Sequence, residues 1–216
     1  MSKVKTLLIG SNTEPVATLG AELKANRHTI PSLAGIENDS WPWADALQQW
    51  RETVAGGEQA DRIVVMIWPD HGHKTPCSDT DFLAWSRRAE APLAQWFAAL
   101  GCAQQLCSDG GSVVALVERP APLDSTGRAP EVAVAEGVVA LVRSLAKSEG
   151  ARGARFNAVT TPLRLSPEKL VNPAPALASY PGQLLREVIG SVRMMLGDDS
   201  CGVTGSVVHA DCGRSW

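Results

Sequence analysis

The amino-acid sequence predicts one α/β domain built on a doubly wound parallel sheet. Apolar runs such as residues 62–68 (RIVVMIW) and 112–117 (SVVALV) are continuous, as expected of strands that are covered on both faces. Segments with a helical spacing of apolar residues separate these runs, and strands that alternate with helices typically form parallel sheets. With 216 residues, 44% of them hydrophobic, the chain suits one core rather than two.

Each predicted element has its own signal in the sequence. The first helix carries Val16, Leu19 and Leu23 on one side, and Gly56 and Gly57 end the second. The predicted strands cover residues 5–10, 28–33, 62–68, 112–117, 154–159 and 206–209, and the predicted helices cover residues 14–26, 43–54, 80–106, 131–147 and 183–196. This order predicts a Rossmann-like single domain over residues 1–216.

The third predicted helix, residues 80–106, is the longest and contains Pro92. A proline inside a helix removes a backbone hydrogen bond, so we expect a kink there. Gly110 and Gly111 are expected to separate this helix from the next strand. Prolines recur through residues 160–182, which predicts a long loop before the last helix.

Charge and cysteine content exclude several classes of function. A formal net charge of -3 and a pI near 5.8 provide no basic surface, so we expect no nucleic-acid partner. The N-terminal apolar run is too short for a signal peptide or a membrane span, and no membrane partner is expected. The 5 cysteines contain no CxxC spacing and suit buried free thiols. Together these features predict a cytoplasmic protein.

Two stretches carry a resemblance to a known family. Residues 141–159, LVRSLAKSEGARGARFNAV, resemble the helix-to-strand segment of short-chain dehydrogenase/reductases, and the C-terminal stretch GVTGSVVHADCG is similar to that family's ending. Asp199, Thr204, Gly205, Asp211 and Gly213 stand at the matching places of this ending. The resemblance implies a Rossmann-like fold and an ancestry among NAD(P)-dependent oxidoreductases. Residues 34–61 leave room for one helix but not clearly for that family's third strand.

The same resemblance shows that the catalytic residues of the family are replaced. It places Glu131 where the family has its catalytic Tyr, Ala135 where the Lys of Tyr-x-x-x-Lys stands, and Glu118 where the substrate-orienting Ser stands. In the family the phenol acts as general acid/base and the lysine lowers its pKa. Glutamate and alanine cannot perform these roles. Tyr180, the only tyrosine, lies in the proline-rich segment and has no lysine partner at that spacing.

The turn that would hold a dinucleotide is also degenerate. The family reads T-G-x-x-x-G-x-G, where glycines let the backbone approach the pyrophosphate at a helix N-terminus. Here Gly10 is kept, but Glu14 places a carboxylate where phosphate should lie, Pro15 removes an amide and Val16 adds a side chain. We therefore expect no NAD(H) or NADP(H) cofactor, and a cleft above Gly10 that is empty or narrowed by side chains.

Two further groups of residues have alternative interpretations. Asp70, His71, Gly72 and His73, with Cys77, follow a predicted strand and include metal-ligating types, but their spacing favours a polar loop and we expect no metal site. Glu118 and Glu131 are expected to face each other across a vestigial pocket. They are either solvated residues at an emptied cleft or a carboxylate pair for acid/base work. Arg87, Arg88 and Glu90 are expected on the solvent face of their helix or in ion pairs at its rim.

These observations favour a non-catalytic protein that resembles short-chain dehydrogenase/reductases and acts as a structural or regulatory subunit. The implied partners are further copies of the chain or an active paralogue of that family. Two alternatives stay open: an oxidoreductase or other enzyme that uses Glu118, Glu131 or His71 in a remodelled cleft, and a sensor that binds a small molecule under the proline-rich segment.

Helices 80–106 and 131–147 are the expected assembly surface, as the resemblance implies. On the second of these helices Val134, Val138 and Val142 form one row, and Leu141 and Leu145 form a neighbouring row. One row can face the sheet and the other a second subunit. We expect a large, mostly apolar interface, with Val138→Asp disrupting it.

Overall fold

A computed structural model describes residues 4–33, 43–68, 75–121, 125–162, 184–211 and 213. The described residues form an α/β fold whose elements alternate along the chain as predicted. In order they are β1 (Thr6–Gly10), α1 (Glu14–Leu23), β2 (Asn26–Thr29), α2 (Trp43–Ala55), β3 (Ala60–Met66), α3 (Phe82–Trp85), α4 (Ala91–Leu106), β4 (Cys107–Glu118), α5 (Ala129–Ser148), β5 (Arg155–Thr161), α6 (Ile189–Leu196) and β6 (Val207–His209). π-Helical turns at Ser86–Glu90 and Leu184–Val188 precede α4 and α6.

The strands form one parallel sheet in the order β2-β1-β3-β4-β5-β6. The reversal of strand order beside β1 is the arrangement of a doubly wound sheet, so the predicted fold class is confirmed. Among the described ranges no strand lies beyond β2, and α2 alone leads from β2 to β3. Because all the strands are parallel, their carboxyl ends meet at one edge of the sheet, which is where α/β folds place their sites.

Apolar cores cover both faces of the sheet. Side chains alternate along β3, so that Ile63 and Val65 belong to one buried cluster and Val64 and Met66 to the other. The first cluster lies under α2, α4 and α5, and the second lies under α1 and α6. This two-sided burial explains why the central strands have continuous apolar runs instead of a two-residue period.

The boundary between α4 and β4 differs from the prediction. The helix ends at Leu106 and the strand begins directly at Cys107, so Gly110 and Gly111 lie inside β4 rather than in a separating turn. The strand register shifts here, because Gly110 has a φ of 74° and a Cβ on Gly111 would lie 2.8 Å from the Sγ of Cys107. The glycines therefore form a bulge in the strand, a role that the sequence pattern does not distinguish from a helix stop.

The apolar residues of α5 are used within the chain. Three valines of α5 are buried against the rest of the first core cluster: Val134, Val138 and Val142. Two leucines of the same helix, Leu141 and Leu145, are only partly buried. The row with the valines therefore faces the sheet, and Val138→Asp would damage this core in a single chain. The expectation that Val138 tests an interface between subunits is wrong, because neighbouring α4 and β5 already cover it.

The two segments that resemble the family are joined by hydrogen bonds between β5 and the residues just before β6. The side-chain amide of Asn157 donates to the carbonyl of Val203 at 2.8 Å, and its oxygen accepts from the amide of Ser206 at 3.0 Å. The hydroxyl of Thr204 accepts from the amide of Phe156 at 3.1 Å. These residues hold β6 beside β5, so in this chain they have a structural role.

The described cysteines divide into two kinds, and Cys212 lies outside the described residues. Cys102 and Cys107 are buried, as predicted, but Cys77 and Cys201 are exposed because they lie in short turns outside the core. Burial raises the pKa of Cys107 to about 11, against a smaller lowering by Arg152. Of the helices within the described ranges, none is both long and apolar enough to cross a membrane.

Candidate functional site

A small cavity lies at the carboxyl ends of β3 and β4, beside the start of α5. Its volume is about 20 Å³. It is lined by Ile67, Arg88, Pro92, Trp96, Val117, Glu118, Glu131 and Val134. A space of this size holds one or two water molecules and no organic substrate, since one probe-sized water needs roughly 10–15 Å³. Glu118 and Glu131, the two predicted carboxylates, both line it.

Glu131 is held by an arginine from the long helix. The Nε of Arg88 donates to Oε1 of Glu131 and its Nη2 donates to Oε2, both at 2.8 Å. The two side chains are only 12% and 13% exposed. This is the two-pronged geometry in which a planar guanidinium binds a carboxylate most strongly. Both oxygens of Glu131 are therefore engaged inside the protein.

The π-helical turn explains why Arg88 reaches this position. Pro92 has no amide hydrogen, and its ring would clash with the carbonyl of Arg88 in a regular helix. The amide of Ala91 instead bonds to the carbonyl of Ser86, five residues back, which widens the helix at this point. The predicted kink at Pro92 thus takes the form of a π-helical turn. Arg88 does form an ion pair, but the expectation that it lies on the solvent face or at the rim is wrong, because this turn directs it inwards.

The other positions implied by the family resemblance are also buried. Ala135 is 0% exposed and packs in the first core cluster, and Glu118 is 8% exposed at the end of β4. Arg128, directly before α5, is buried as well. The expectation of solvated residues at an emptied cleft is therefore wrong. Charged and apolar side chains of the described residues fill nearly all of this space.

The sequence pattern identified the two carboxylates but not the arginine that binds Glu131. The available signal was the position of Arg88, which stands four residues before Pro92 in the predicted helix. A proline affects the turn that precedes it, so residues at that spacing are candidates for an altered orientation. The sequence alone did not indicate whether Arg88 would turn towards the solvent or towards the interior.

The turn after β1 is closed by its own side chains. The amide of Trp68 donates to the hydroxyl of Ser11 at 2.9 Å, and the amide of Ser11 donates to the carbonyl of Met66 at 3.3 Å. Trp68 is buried in the second core cluster together with Val16. A Cβ on Gly10 would lie 2.6 Å from the carbonyl oxygen of Met66, so this glycine is required for the close approach of β1 and β3.

Val16 and Glu14 occupy different places in this turn. Val16 is fully buried between α1 and β1, and a Cβ added to Gly10 would lie only 2.7 Å from the Cγ1 of Val16. Val16 therefore changes how α1 packs against β1, at a position where the family has a glycine. Its side chain does not project into the space that a phosphate would occupy. Glu14 is exposed at the first residue of α1, where a carboxylate is favoured by the helix dipole and opposes a phosphate. These residues do not fit a dinucleotide.

Several predicted residues lie outside the described part of the chain. Asp70, His71, Gly72 and His73 belong to residues 69–74, and Tyr180 belongs to residues 163–183. Cys77 is described and is exposed. In the described residues no group of three or more His, Cys, Asp or Glu side chains is arranged to hold a metal ion.

A second polar contact lies at the same edge of the sheet. The hydroxyl of Thr160, at the end of β5, is 2.8 Å from Nδ1 of His209 at the end of β6. Thr160 is fully buried and His209 is exposed. The contact orients the histidine ring, but the hydroxyl itself is inaccessible to a substrate. It was not predicted, because residues so distant in sequence give no local signal.

Comparison with known proteins gives matches in structure but none in sequence. No family model matches the chain, and no curated protein matches it. A short-chain dehydrogenase/reductase from Serratia marcescens superposes with a TM-score of 0.67, at 20% identity over 98% of each chain. This chain has the short-chain dehydrogenase/reductase fold. A putative oxidoreductase from Escherichia coli K-12 gives a TM-score of 0.69 at 14% identity, covering 98% of this chain and 96% of that one.

A third similar structure contains a nucleotide. It is a blue fluorescent protein from a metagenomic library in complex with NADPH, with a TM-score of 0.60 and 18% identity over 98% of each chain. Identities this low establish the fold and say nothing about chemistry.

Proposed function

We propose that this chain is a non-catalytic member of the short-chain dehydrogenase/reductase family that acts as a structural or regulatory subunit of an oligomeric dehydrogenase/reductase. One observation carries the proposal: the Arg88–Glu131 ion pair stands where the family resemblance places the catalytic phenol. A carboxylate with both oxygens bound to a buried guanidinium is poorly suited to exchange protons with a substrate. The cavity beside this carboxylate is also too small for a substrate.

The proposal includes the absence of a nicotinamide cofactor. Glu14 at the start of α1 opposes a pyrophosphate, and Val16 fills the space where α1 would approach β1 more closely. The fold is therefore kept without the site that the family uses for binding. Isothermal calorimetry with NADH and NADPH should detect no binding at physiological concentrations, and micromolar affinity for either nucleotide would contradict the proposal.

A restoration experiment tests the catalytic part separately. Glu131→Tyr with Ala135→Lys recreates the family's pair in sequence, but the lysine would enter a fully buried position and Arg88 would lose its partner. We expect no reduction of ketones by this double variant. Turnover with a nicotinamide cofactor would show that the nucleotide site persists.

An exposed apolar surface on the long helix supports assembly. Phe82, Leu83 and Phe97 are 93%, 57% and 59% exposed, and Leu141 and Leu145 of α5 are partly buried. Large apolar side chains exposed along one pair of helices are typical of an interface. We propose that this surface binds a second copy or an active paralogue, in the cytoplasm and without nucleic acid or membrane.

Light scattering on the purified chain tests this surface. Phe97→Glu should convert an oligomer to monomer without lowering the melting temperature, because Phe97 lies outside the core. Met194→Glu is the matched control, since Met194 is 48% exposed on α6, which packs on the opposite face of the sheet. A wild-type monomer well above micromolar concentration would refute self-association. Co-purification from the native host then tests the paralogue.

The enzyme alternative rests on the shared cavity of Glu118 and Glu131. Two carboxylates in one pocket can divide the roles of acid and base when their environments differ. This alternative requires Glu131 to leave Arg88 and the cavity to enlarge. A substrate-dependent activity lost in both Glu118→Gln and Glu131→Gln, with folding retained, would favour it over the subunit proposal.

A further inference from the structure

Arg88 makes a third contact that connects two segments of the chain. Its Nη2 donates to the carbonyl oxygen of Gly127 at 3.1 Å, in addition to the bond with Glu131. The amide of Thr75 donates to the same carbonyl at 3.0 Å. Gly127 has a φ of 72°, which orients this carbonyl in the turn before α5. The guanidinium thus joins the long helix to the start of α5 and to the turn at Gly127, and the carbonyl of Gly127 in turn holds the segment at Thr75.

We propose that Arg88 is a clasp that holds residues 75–79 and 125–128 together as one unit at the carboxyl edge of the sheet. The clasp consists of Arg88, Glu131, the carbonyl of Gly127 and the amide of Thr75. In this arrangement the two segments do not open independently. The inference rests on these contacts and goes beyond the subunit role proposed above.

The chemistry of the contacts requires arginine. A guanidinium presents planar donors that can bind two carboxylate oxygens and a carbonyl at the same time, whereas an ammonium is a single point of charge. Both members of the ion pair are almost completely removed from water, so solvent screening weakens it little. Removal of Arg88 leaves the carboxylate of Glu131 buried and the carbonyl of Gly127 with one contact fewer.

Neighbouring groups define a suitable control. Arg119 and Glu136 form another ion pair between the end of β4 and α5, with Nε to Oε1 at 2.8 Å. Their side chains are 34% and 52% exposed. This pair involves the same helix and the same residue types, but it does not contact either segment of the clasp through a described hydrogen bond.

The first measurement is amide hydrogen exchange on the full chain. In Arg88→Ala, exchange at residues 75–79 and 125–128 should accelerate together by about tenfold or more, while the central strands stay protected. Arg119→Ala should leave both segments unchanged. If Arg88→Ala does not fold, Arg88→Lys serves instead, because it keeps the charge and loses the planar fork. Unchanged exchange in both segments, or acceleration in only one, would overturn the proposal.

The second measurement is chemical rescue with methylguanidinium. The ion should fill the space left in Arg88→Ala, raise its melting temperature by roughly 2 °C or more at millimolar concentration, and slow exchange in both segments again. It should have no such effect on the wild type or on Arg88→Ala combined with Glu131→Leu. A ligand effect of the same size in the double variant would show that the ion does not act at the clasp.

Discussion

The two ends of α5 both carry arginine–glutamate pairs, but the two arginines differ in their exposure to water and in their number of partners. At the start of the helix, Arg88 and Glu131 are buried and Arg88 has few alternative partners among the described contacts. At its end, Arg152 is 34% exposed and binds both Glu149 and Asp109. A pair with few other partners is vulnerable to the loss of one member, whereas a network keeps its remaining contacts when one member is lost.

The network at the end of α5 contains several hydrogen bonds in addition to its ion pairs. Arg152 also donates to the carbonyls of Gln104 and Cys107, and Glu149 accepts from the side-chain amide of Gln104 at 2.6 Å. Loss of one contact leaves the others in place. The comparison therefore predicts that equivalent substitutions have different effects at the two ends of one helix.

The largest effect is expected for Arg88→Met. Removing the guanidinium leaves a buried carboxylate without its partner, which should lower the free energy of unfolding by about 3–5 kcal/mol. Urea denaturation measures the loss. Arg88→Met combined with Glu131→Leu should recover most of it, because apolar side chains of similar volume do not need a counter-charge. A double variant as unstable as the single variant would show that Arg88 contributes packing rather than charge.

A smaller loss is expected for Arg152→Met. Glu149 is buried, but it keeps its hydrogen bonds from Gln104 and Ser148, and Asp109 is open to water, so neither carboxylate is left without a polar partner. The urea midpoint should therefore fall less than for Arg88→Met at the same pH. Equal midpoints for the two variants would contradict the distinction between the two ends.

Acid pH should lower the stability of the folded protein through protonation of Glu149. Burial alone raises the pKa of Glu149, but hydrogen bonds from Gln104, Arg152 and Ser148 outweigh this effect and lower the pKa below its ordinary value. The folded state then binds fewer protons than the unfolded state. Stability from this group is complete above the ordinary pKa of about 4.3 and is lost as the pH falls through the lowered value. Glu149→Gln should reduce the slope of stability against pH in that window, as measured by urea titrations. An unchanged slope would refute the assignment.

The smallest effect is expected for Arg119→Met. This residue pairs with Glu136 in water-accessible surroundings, and exposed pairs of this type contribute roughly 0–1 kcal/mol. The urea midpoint should stay close to that of the wild type, and moderate salt should remove any remaining difference. A loss comparable to that of Arg88→Met would mean that exposure is the wrong criterion for comparing the pairs.

Much of the fold was predictable from local sequence patterns. Residues 62–68 and 112–117 indicated buried parallel strands because continuous apolar runs of that length have few other stable environments. Proline and glycine were less informative. Gly110 and Gly111 form a bulge in β4, and Pro92 produces a π-helical turn, although either residue type is also compatible with a simple break.

The sequence by itself determined the parallel α/β architecture, and its resemblance to the family predicted Glu118, Glu131 and Ala135 at the positions of the catalytic residues. Periodicity and motif spacing are properties of neighbouring residues along the chain. Only the tertiary structure decided that Glu131 is bound by Arg88, that Val16 lies in the core, and that the valines of α5 face the sheet. Each of these depends on which distant segment occupies the opposite side of a contact, and that choice results from the packing of the whole chain.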